Sequence, residues 1–470
     1  MQNRMAKVIC TIGPASSSPE MIRKLIENGM NVARLNFSHG THDSHRETIQ
    51  KVRSIANELG CYVGILQDLC GPKIRLGMLP EEGVQLIRNE EIALRSGDTY
   101  EEGVLPLHYP EIHKDVTPGE SILLADGMRE LKVLRIEGDK VICKIITGGQ
   151  IYSRKGVNMP GSKLSVSAFS DKDREDLMMG LKENVDFVAM SFVRQASDLD
   201  EIKSIIAQAD YKPKLIAKIE KPQAVANISE IVDAVDGIMV ARGDLGVEVP
   251  LEHVPIIQKD IIEVARSKGK FSITATQMLM SMVSNPRPTR GEASDVANAI
   301  LDGTDAVMLS DESANGKYPI EACATLGRIA SATEPYSKNR LLRTNNDDAD
   351  VSATLAMGRA AGWLAGDIKA VAIVVYTESG FSARAVAQYR PNCGILALTP
   401  NENICNQLSL CWGTRAIQIE HYDGTDELFR ATRRTMLELG LAKKGDKIVL
   451  TAGVPLGIAG GTTMIRVLTI

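Results

Sequence analysis

The sequence predicts an α/β protein: a (β/α)8 barrel with a small β domain inserted after its third strand and a separate α/β domain at the C-terminal end. Three observations carry this. Eight short, near-continuous apolar runs alternate with amphipathic stretches over the first two-thirds of the chain, the pattern of parallel strands covered by helices. A gap of about 100 residues after the third run breaks the rhythm, far beyond a usual βα connection. The alternation then restarts after residue 345.

The eight runs are AKVICTI (6–12), NVARLNF (31–37), YVGILQDL (62–69), DFVAMSF (186–192), KLIAKIE (214–220), GIMVARG (237–243), FSITAT (271–276) and AVMLS (306–310). Helices between them have readable ends. Ser18-Pro19 predicts an N-cap and first helical residue, with Gly29 as the stop, and Ser170 followed by DKDRED opens another helix with acids in its first turn. An open doubly wound sheet shares this periodicity; the count of eight favours the barrel. In the long gap, alternating residues with turn signals at Asp126-Gly127 and Gly138-Asp139 predict a β insertion placed as a lid over the barrel's active face. TNNDDAD (344–350) is a linker candidate, followed by strands near 370–376, 394–398, 415–419, 446–451 and 463–469. The expected domains are 1–70 with 157–345, 71–156, and 346–470.

The chain has 470 residues, 44% hydrophobic and 24% charged, which excludes disorder, collagen and coiled coil as the overall class. Aromatics are only 4%, so the cores rest on aliphatic residues and Met, and Trp363 and Trp412 read as core or interface residues. A net charge of −5 argues against a nucleic-acid binder, which needs a basic stripe. The eight cysteines form no CxxC pair and read as reduced thiols rather than a disulfide frame or zinc site. No apolar stretch spans a membrane and the N-terminus has no signal-peptide layout, so a cytoplasmic protein is expected.

The informative residues end the strands. Arg34, Asn36, Ser38 and His39 close the second run, Asp68 the third, Lys218 and Glu220 the fifth, Arg242-Gly243-Asp244 the sixth, Thr276 the seventh and Ser310 the eighth. In a barrel these ends converge on one mouth. Glu220 and Asp244 are hard oxygen donors of the kind that hold Mg²⁺ together with water and substrate oxygens. Lys218 suits a phosphoryl group or an enolate, Arg34 a phosphate, and Gly243, placed before a helix start, a carboxylate or phosphate cradle. Together they describe Mg-assisted phosphoryl transfer involving an enolate-like species; a structural ion-pair network is the plainer alternative.

The strings CTIGPAS, NVARLNFSHG, GPKIR, KGVNMPG, AKIEKP, MVARGDLGVE, TATQML, NPRPTRGEASDVANAILDGTDAVMLS and GKYP resemble the pyruvate kinase family, in that family's order, from the N-terminus to about residue 320. The C-terminal third resembles its regulatory domain more loosely. The resemblance implies phosphoryl transfer from phosphoenolpyruvate to ADP, giving pyruvate and ATP at the last step of glycolysis, in a homotetramer. It implies a divalent ion, Mg²⁺ or Mn²⁺, on Glu220 and Asp244. Lys218 is then the lysine that stabilises the phosphoryl transition state and the enolate. Arg34 binds phosphate, and Gly243, Asp244 and Thr276 contact phosphoenolpyruvate. Thr276, with Ser310 nearby, lies beside the carbon that gains a proton, which a water chain supplies. Asn36, His39, Arg75 and Lys155 fall on the nucleotide side.

One departure stands out. Asn36, Ser38, Asp68 and the Leu69 carbonyl fall where the family's K⁺ ligands lie, but Lys73 replaces a glutamate there. This resembles the K⁺-independent subset, so K⁺ is expected not to be required, with the Lys73 ammonium in its stead. In the C-terminal domain, Thr377, Ser379, Gly380 and Ser382 resemble the family's loop for sugar-phosphate or nucleotide effectors such as AMP, partnered by a Gly-rich loop at 453–463. Glu378 and the lack of a Lys or Arg in the loop, Arg384 being the closest, set it apart. Two readings stay open beside this one: an Mg²⁺-dependent lyase or aldolase, and a non-catalytic effector-binding relative.

Overall fold

The computed structural model describes residues 4–162, 164–337, 352–422, 424–456 and 461–470. The eight apolar runs form β1 (Lys7–Thr11), β2 (Val32–Asn36), β3 (Gly64–Asp68), β4 (Phe187–Met190), β5 (Lys214–Ile219), β6 (Gly237–Ala241), β7 (Phe271–Ala275) and β8 (Ala306–Leu309). They close into one barrel in chain order, every pair parallel. Successive side chains alternate between faces, so Ile9 joins the barrel interior with Leu66, Phe187, Ile216, Met239 and Ile273, while Val8 and Cys10 pack outward against the helices. Both faces are buried, which is why these strands read as unbroken apolar runs.

The predicted caps form. Ser18 Oγ accepts from Met21 N ahead of helix Pro19–Glu27, and Gly29 follows at φ +109°. Ser170 and Asp173 form a reciprocal capping box at the start of helix Asp171–Lys182.

Between β3 and β4 the chain builds a lid with its own core around Leu94, Leu105, Leu124 and Leu131. Its six-stranded sheet runs, in spatial order, Val157–Asn158, Ser121–Leu124, Arg129–Glu137, Lys140–Thr147, Glu91–Ser96 and Val104–Leu107, beside a two-stranded ribbon of Val84–Leu86 and Gly149–Ile151. The outgoing and returning chains cross side by side, Arg75 bridging to Gly156 and Val157 N donating to Ile74 O at 3.0 Å.

The C-terminal domain has β9 (Ala372–Tyr376), β10 (Gly394–Thr399), β11 (Thr414–Gln418), β12 (Lys447–Ala452) and β13 (Met464–Thr469), in the order β11-β10-β9-β12-β13, with only the last pair antiparallel. It docks on the floor of the barrel. Arg390 pairs with Asp305 at 3.1 Å and lies over the Trp412 ring, and Lys7 Nζ donates to Thr414 O at 2.6 Å. Trp412 is accordingly buried, whereas Trp363 is exposed. The linker candidate 344–350 and the expected boundary at 345/346 lie outside the described residues. All eight cysteines are free thiols. Among the described residues no helix is long and apolar enough to cross a membrane.

Candidate active site

The strand ends meet at the barrel mouth around one buried carboxylate. Asp68, ending β3, is 1% exposed. Arg34 Nε lies 2.7 Å from its Oδ2 and Lys218 Nζ 3.2 Å from its Oδ1. Burial pushes the Asp68 carboxyl up, but Lys218 and Arg34 outweigh it and hold it below the usual carboxylate range. Lys218 Nζ also contacts Glu220 Oε1 at 2.9 Å and Ser191 Oγ at 2.7 Å. Burial disfavours its ammonium, yet Asp68, Glu220 and Asp244 together raise its pKa above the ordinary lysine value. The lysine is therefore a fixed positive charge. Arg34 Nη1 donates to Thr11 Oγ1 at 2.8 Å, which leaves Nη2 with no partner among the described residues.

Glu220 is 2% exposed and its Oε2 accepts from Phe192 N at 3.0 Å. With Lys218 on Oε1, each oxygen keeps a lone pair for a cation. Asp244 stands in the first turn of helix Arg242–Glu248, half-buried and with no ion pair among the described residues. No group of three or more His, Cys, Asp or Glu among the described residues is placed to hold a metal. Two carboxylates beside a cationic substrate site fit Mg²⁺ or Mn²⁺, which completes its shell with water and substrate oxygens.

Gly243 differs from expectation. It lies inside the helix rather than before it, and its amide donates to Thr276 Oγ1 at 2.7 Å. Thr276 sits just past β7 at φ +65°, which turns its hydroxyl back to that amide, and the hydroxyl donates to Ala275 O at 2.6 Å. The Thr276 hydroxyl has thus committed its proton and keeps one lone pair. Ser310 Oγ, in contrast, is buried with no partner among the described residues.

Lys73 also differs. Its side chain is exposed, and among the described residues it makes no ion pair; the ammonium on Asp68 belongs to Lys218. The chain turns outward at Gly71, which carries Lys73 away from the carboxylate. Around it, Asn36 Oδ1 accepts from Ser38 N at 3.1 Å and Leu69 O accepts from Ser191 Oγ at 2.8 Å. His39 is exposed at the rim. Arg75 and Lys155 lie on the two lid crossings, where Arg75 Nη1 donates to Arg154 O at 3.1 Å. Sequence reasoning passed over Ser191, Lys221 and Glu248. Lys221 was open to it, since it directly follows Glu220, and Ser191 near the end of the fourth run was a polar strand end like those already singled out.

The effector-loop candidates sit at the end of β9. Thr377 Oγ1 accepts from Gly380 N at 3.0 Å, and Ser382 Oγ shares a 2.7 Å hydrogen bond with Thr462 Oγ1, which joins the two loops. Ser379 lies in the turn between them. Arg384 turns to Asp236 of the barrel, 3.6 Å off. Residues 457–460 of the partner loop lie outside the described residues. A roomier cleft of about 930 Å³ lies elsewhere, between barrel floor and C-terminal domain, lined by Arg4, Lys7, Tyr62, Arg390 and Trp412. Size alone does not mark it as the reaction centre, because chemistry on this fold gathers at the carboxyl ends of the strands.

Residues 3–323 match the family model described as pyruvate kinase, barrel domain, and residues 356–468 the one described as pyruvate kinase, alpha/beta domain. The chain belongs to the pyruvate kinase family. It is 44% identical over 468 residues to a pyruvate kinase of Clostridium perfringens (strain 13 / Type A), covering 98% of each. It is 45% identical over 470 residues to a pyruvate kinase of Staphylococcus aureus (strain USA300), covering 99% of this chain and 80% of that one. The crystal structure of a pyruvate kinase from Cryptosporidium parvum superposes with a TM-score of 0.93 at 35% identity, over 99% of this chain and 96% of that one. The chain is thus a phosphotransferase, pyruvate kinase in function.

Proposed function

We propose that the chain transfers the phosphoryl group of phosphoenolpyruvate to ADP, giving pyruvate and ATP. The observation that carries this is the Lys218 ammonium, fixed between Asp68, Glu220 and Ser191 at the barrel mouth. A divalent ion on Glu220 and Asp244, Mg²⁺ or Mn²⁺, supplies charge neutralisation on the substrate oxygens. Lys218 faces the bridging oxygen, holding the phosphoryl group as it leaves and the enolate oxygen it leaves behind. Arg34 Nη2, its other nitrogens committed, takes the phosphoryl oxygens. Gly243, Asp244 and Thr276 form the wall against the substrate carboxylate. The enolate then gains a proton at carbon; Ser310 Oγ, buried and unpartnered, is the open hydroxyl for the water chain that delivers it. ADP lies toward Asn36, His39, Arg75 and Lys155, where the lid excludes water that would otherwise take the phosphoryl group.

K⁺ is dispensable in this reading, as in relatives with a lysine at the position of Lys73. Arg34 and Lys218 already neutralise Asp68, which supports it. Kinship further suggests a cytoplasmic homotetramer, with the Thr377–Ser382 loop open to a sugar phosphate or AMP. The test is pyruvate formation from phosphoenolpyruvate and ADP with Mg²⁺ in K⁺-free buffer, then with K⁺. Full rate before K⁺ is expected. A strict K⁺ requirement keeps the transfer and discards K⁺ independence. No pyruvate under either condition, with sugar phosphates and AMP also tried, overturns the assignment.

A further inference from the structure

The lid hangs from the barrel by two chain crossings, held in different ways. The outgoing crossing is pinned through backbone. Gly71 N donates to Asp173 Oδ1 at 3.0 Å, and Asp173 is itself locked, its Oδ2 accepting from Ser170 N at 3.0 Å and Ser170 Oγ at 2.6 Å. Gly71 has φ +68°, and a Cβ there would come within 2.5 Å of Phe192 Cδ2. The returning crossing is paired to the outgoing one through Val157 N and Ile74 O, and barrel side chains hold it at two points, Arg194 Nη1 donating to Leu164 O at 2.7 Å and Glu248 meeting Asn158. Asn158 Nδ2 donates to Glu248 Oε1 at 2.7 Å.

Glu248 is 5% exposed, and the same Oε1 takes Lys221 Nζ at 2.5 Å. Its Oε2 is buried with no partner among the described residues. Lys221 follows Glu220 in the chain and lies 5.5 Å over the Phe192 ring, and Phe192 N holds Glu220 Oε2. A continuous set of contacts therefore runs from the lid's return strand to the metal-ligand candidate Glu220. One residue before Glu248, Val247 Cγ1 lies 3.6 Å from where a Cβ on Gly127, at the lid's tip, would stand.

We propose that Asn158–Glu248 is a latch that sets the lid's angle about the pinned crossing at Gly71, and that Glu248 ties this angle to the placement of Glu220 through Lys221 and Phe192. Glu248 and Asn158 are thus positioning residues. The orphan Oε2 makes the latch releasable. A buried carboxylate that loads two donors on one oxygen and none on the other has a second acceptor ready, so Asn158 can change partner atom without a new charge being desolvated. Gly71 has no such choice, because its amide is fixed in the backbone. The proposal deepens the reading above, since it takes Arg75 and Lys155, on the two crossings, to meet ADP.

Two substitutions separate the arms. Asn158→Ala cuts the lid arm and leaves Lys221 paired. Glu248→Gln keeps an oxygen for Asn158 and removes the counter-charge of Lys221. For N158A we expect KM for ADP to rise about tenfold with KM for phosphoenolpyruvate within about twofold, and lid backbone amides between 76 and 155 to exchange faster. For E248Q we expect Mn²⁺ binding to the protein alone, read by electron paramagnetic resonance, to weaken about tenfold with lid exchange unchanged, because an uncompensated Lys221 ammonium then lies over the ring of Phe192, whose amide holds Glu220. Unchanged lid exchange in N158A, or equal rises in both KM values with a lowered melting temperature, overturns the latch. Unchanged Mn²⁺ affinity in E248Q overturns the tie to Glu220. Hydrogen exchange and Mn²⁺ binding need no turnover, so they judge the latch even where the assigned reaction fails.

Discussion

Arg34 and Lys218 grip Asp68 from opposite oxygens, 2.7 Å and 3.2 Å away, with the carboxylate itself buried. Removing the carboxylate strands the buried Arg34 guanidinium and leaves Lys218 with Glu220 alone. Asp68→Asn is expected to cost about 3–5 kcal/mol of unfolding free energy by denaturant titration. The sign with pH follows from the direction of the shift. Asp68 is held below its ordinary value of 3.8, so it stabilises the fold fully above that pH and loses its contribution as pH falls through its lowered value. The gap between wild type and D68N should therefore shrink in acid, and a gap that widens there would contradict the ion-pair account.

Lys218→Met removes the fixed ammonium from the reacting oxygens. The loss should fall on kcat, by about 10³-fold, with the barrel still closed by circular dichroism. A kcat within a factor of about ten of wild type would assign the charge stabilisation to another group.

Ser310→Ala is expected to separate stability from rate. The hydroxyl is buried without a partner, a state that costs about 1–3 kcal/mol. Its removal should leave the melting temperature equal or raised, while pyruvate formation slows by about 10–100-fold as the proton path is interrupted. A lowered melting temperature would mean that the hydroxyl has a partner after all.

Lys7 gives the same pH sign as Asp68, in an alkaline window rather than an acidic one. Burial lowers its pKa from 10.5 to about 8, so the folded chain binds this proton less readily than the unfolded one. Between about pH 8 and 10.5 the unfolded state holds the extra proton, and this residue makes the fold more stable as pH rises through that window. Below it the full penalty applies. Lys7→Met should thus be stabilising at pH 7, offset in part by loss of the bond to Thr414 O, and its advantage should fade toward pH 10 in paired melting curves. An advantage that grows with pH would refute the burial of a charged amine.

Gly71→Ala tests the pinned crossing. The left-handed backbone and the Phe192 ring both oppose a Cβ, so a cost of about 1–3 kcal/mol is expected in the thermal unfolding of the intact chain. A neutral G71A would show that the crossing can yield.

The barrel was legible because a strand buried on both faces must be apolar throughout, and a polar residue such as Asp68 or Glu220 then marks the point where it reaches the mouth. The lid was legible from its broken rhythm. What could not be read depends on backbone turns and distant pairs. Gly243 was expected to offer a free amide; the left-handed turn at Thr276, unusual for a β-branched residue, sends a hydroxyl to occupy it. Lys73 was expected at the carboxylate, but the turn at Gly71 carries it outward. Glu248 and Asn158 are ninety positions apart and carry no shared pattern, so only the fold brings them together.

The lid leaves and re-enters the barrel at one point, its two strands already paired where Arg75 meets Gly156. Some 80 residues therefore hang across a gap that a single two-residue hairpin turn can span. The barrel is a socket and the lid a plug. Exchanging residues 76–155 for an Asn-Gly turn is expected to leave a closed barrel by circular dichroism, one that keeps Arg34, Lys218, Glu220 and Asp244 and gives up Lys155. In such a molecule Asn36, His39 and Arg75 stay with the barrel, and the cover that carries Lys155 becomes a separable part, open to replacement by other inserts.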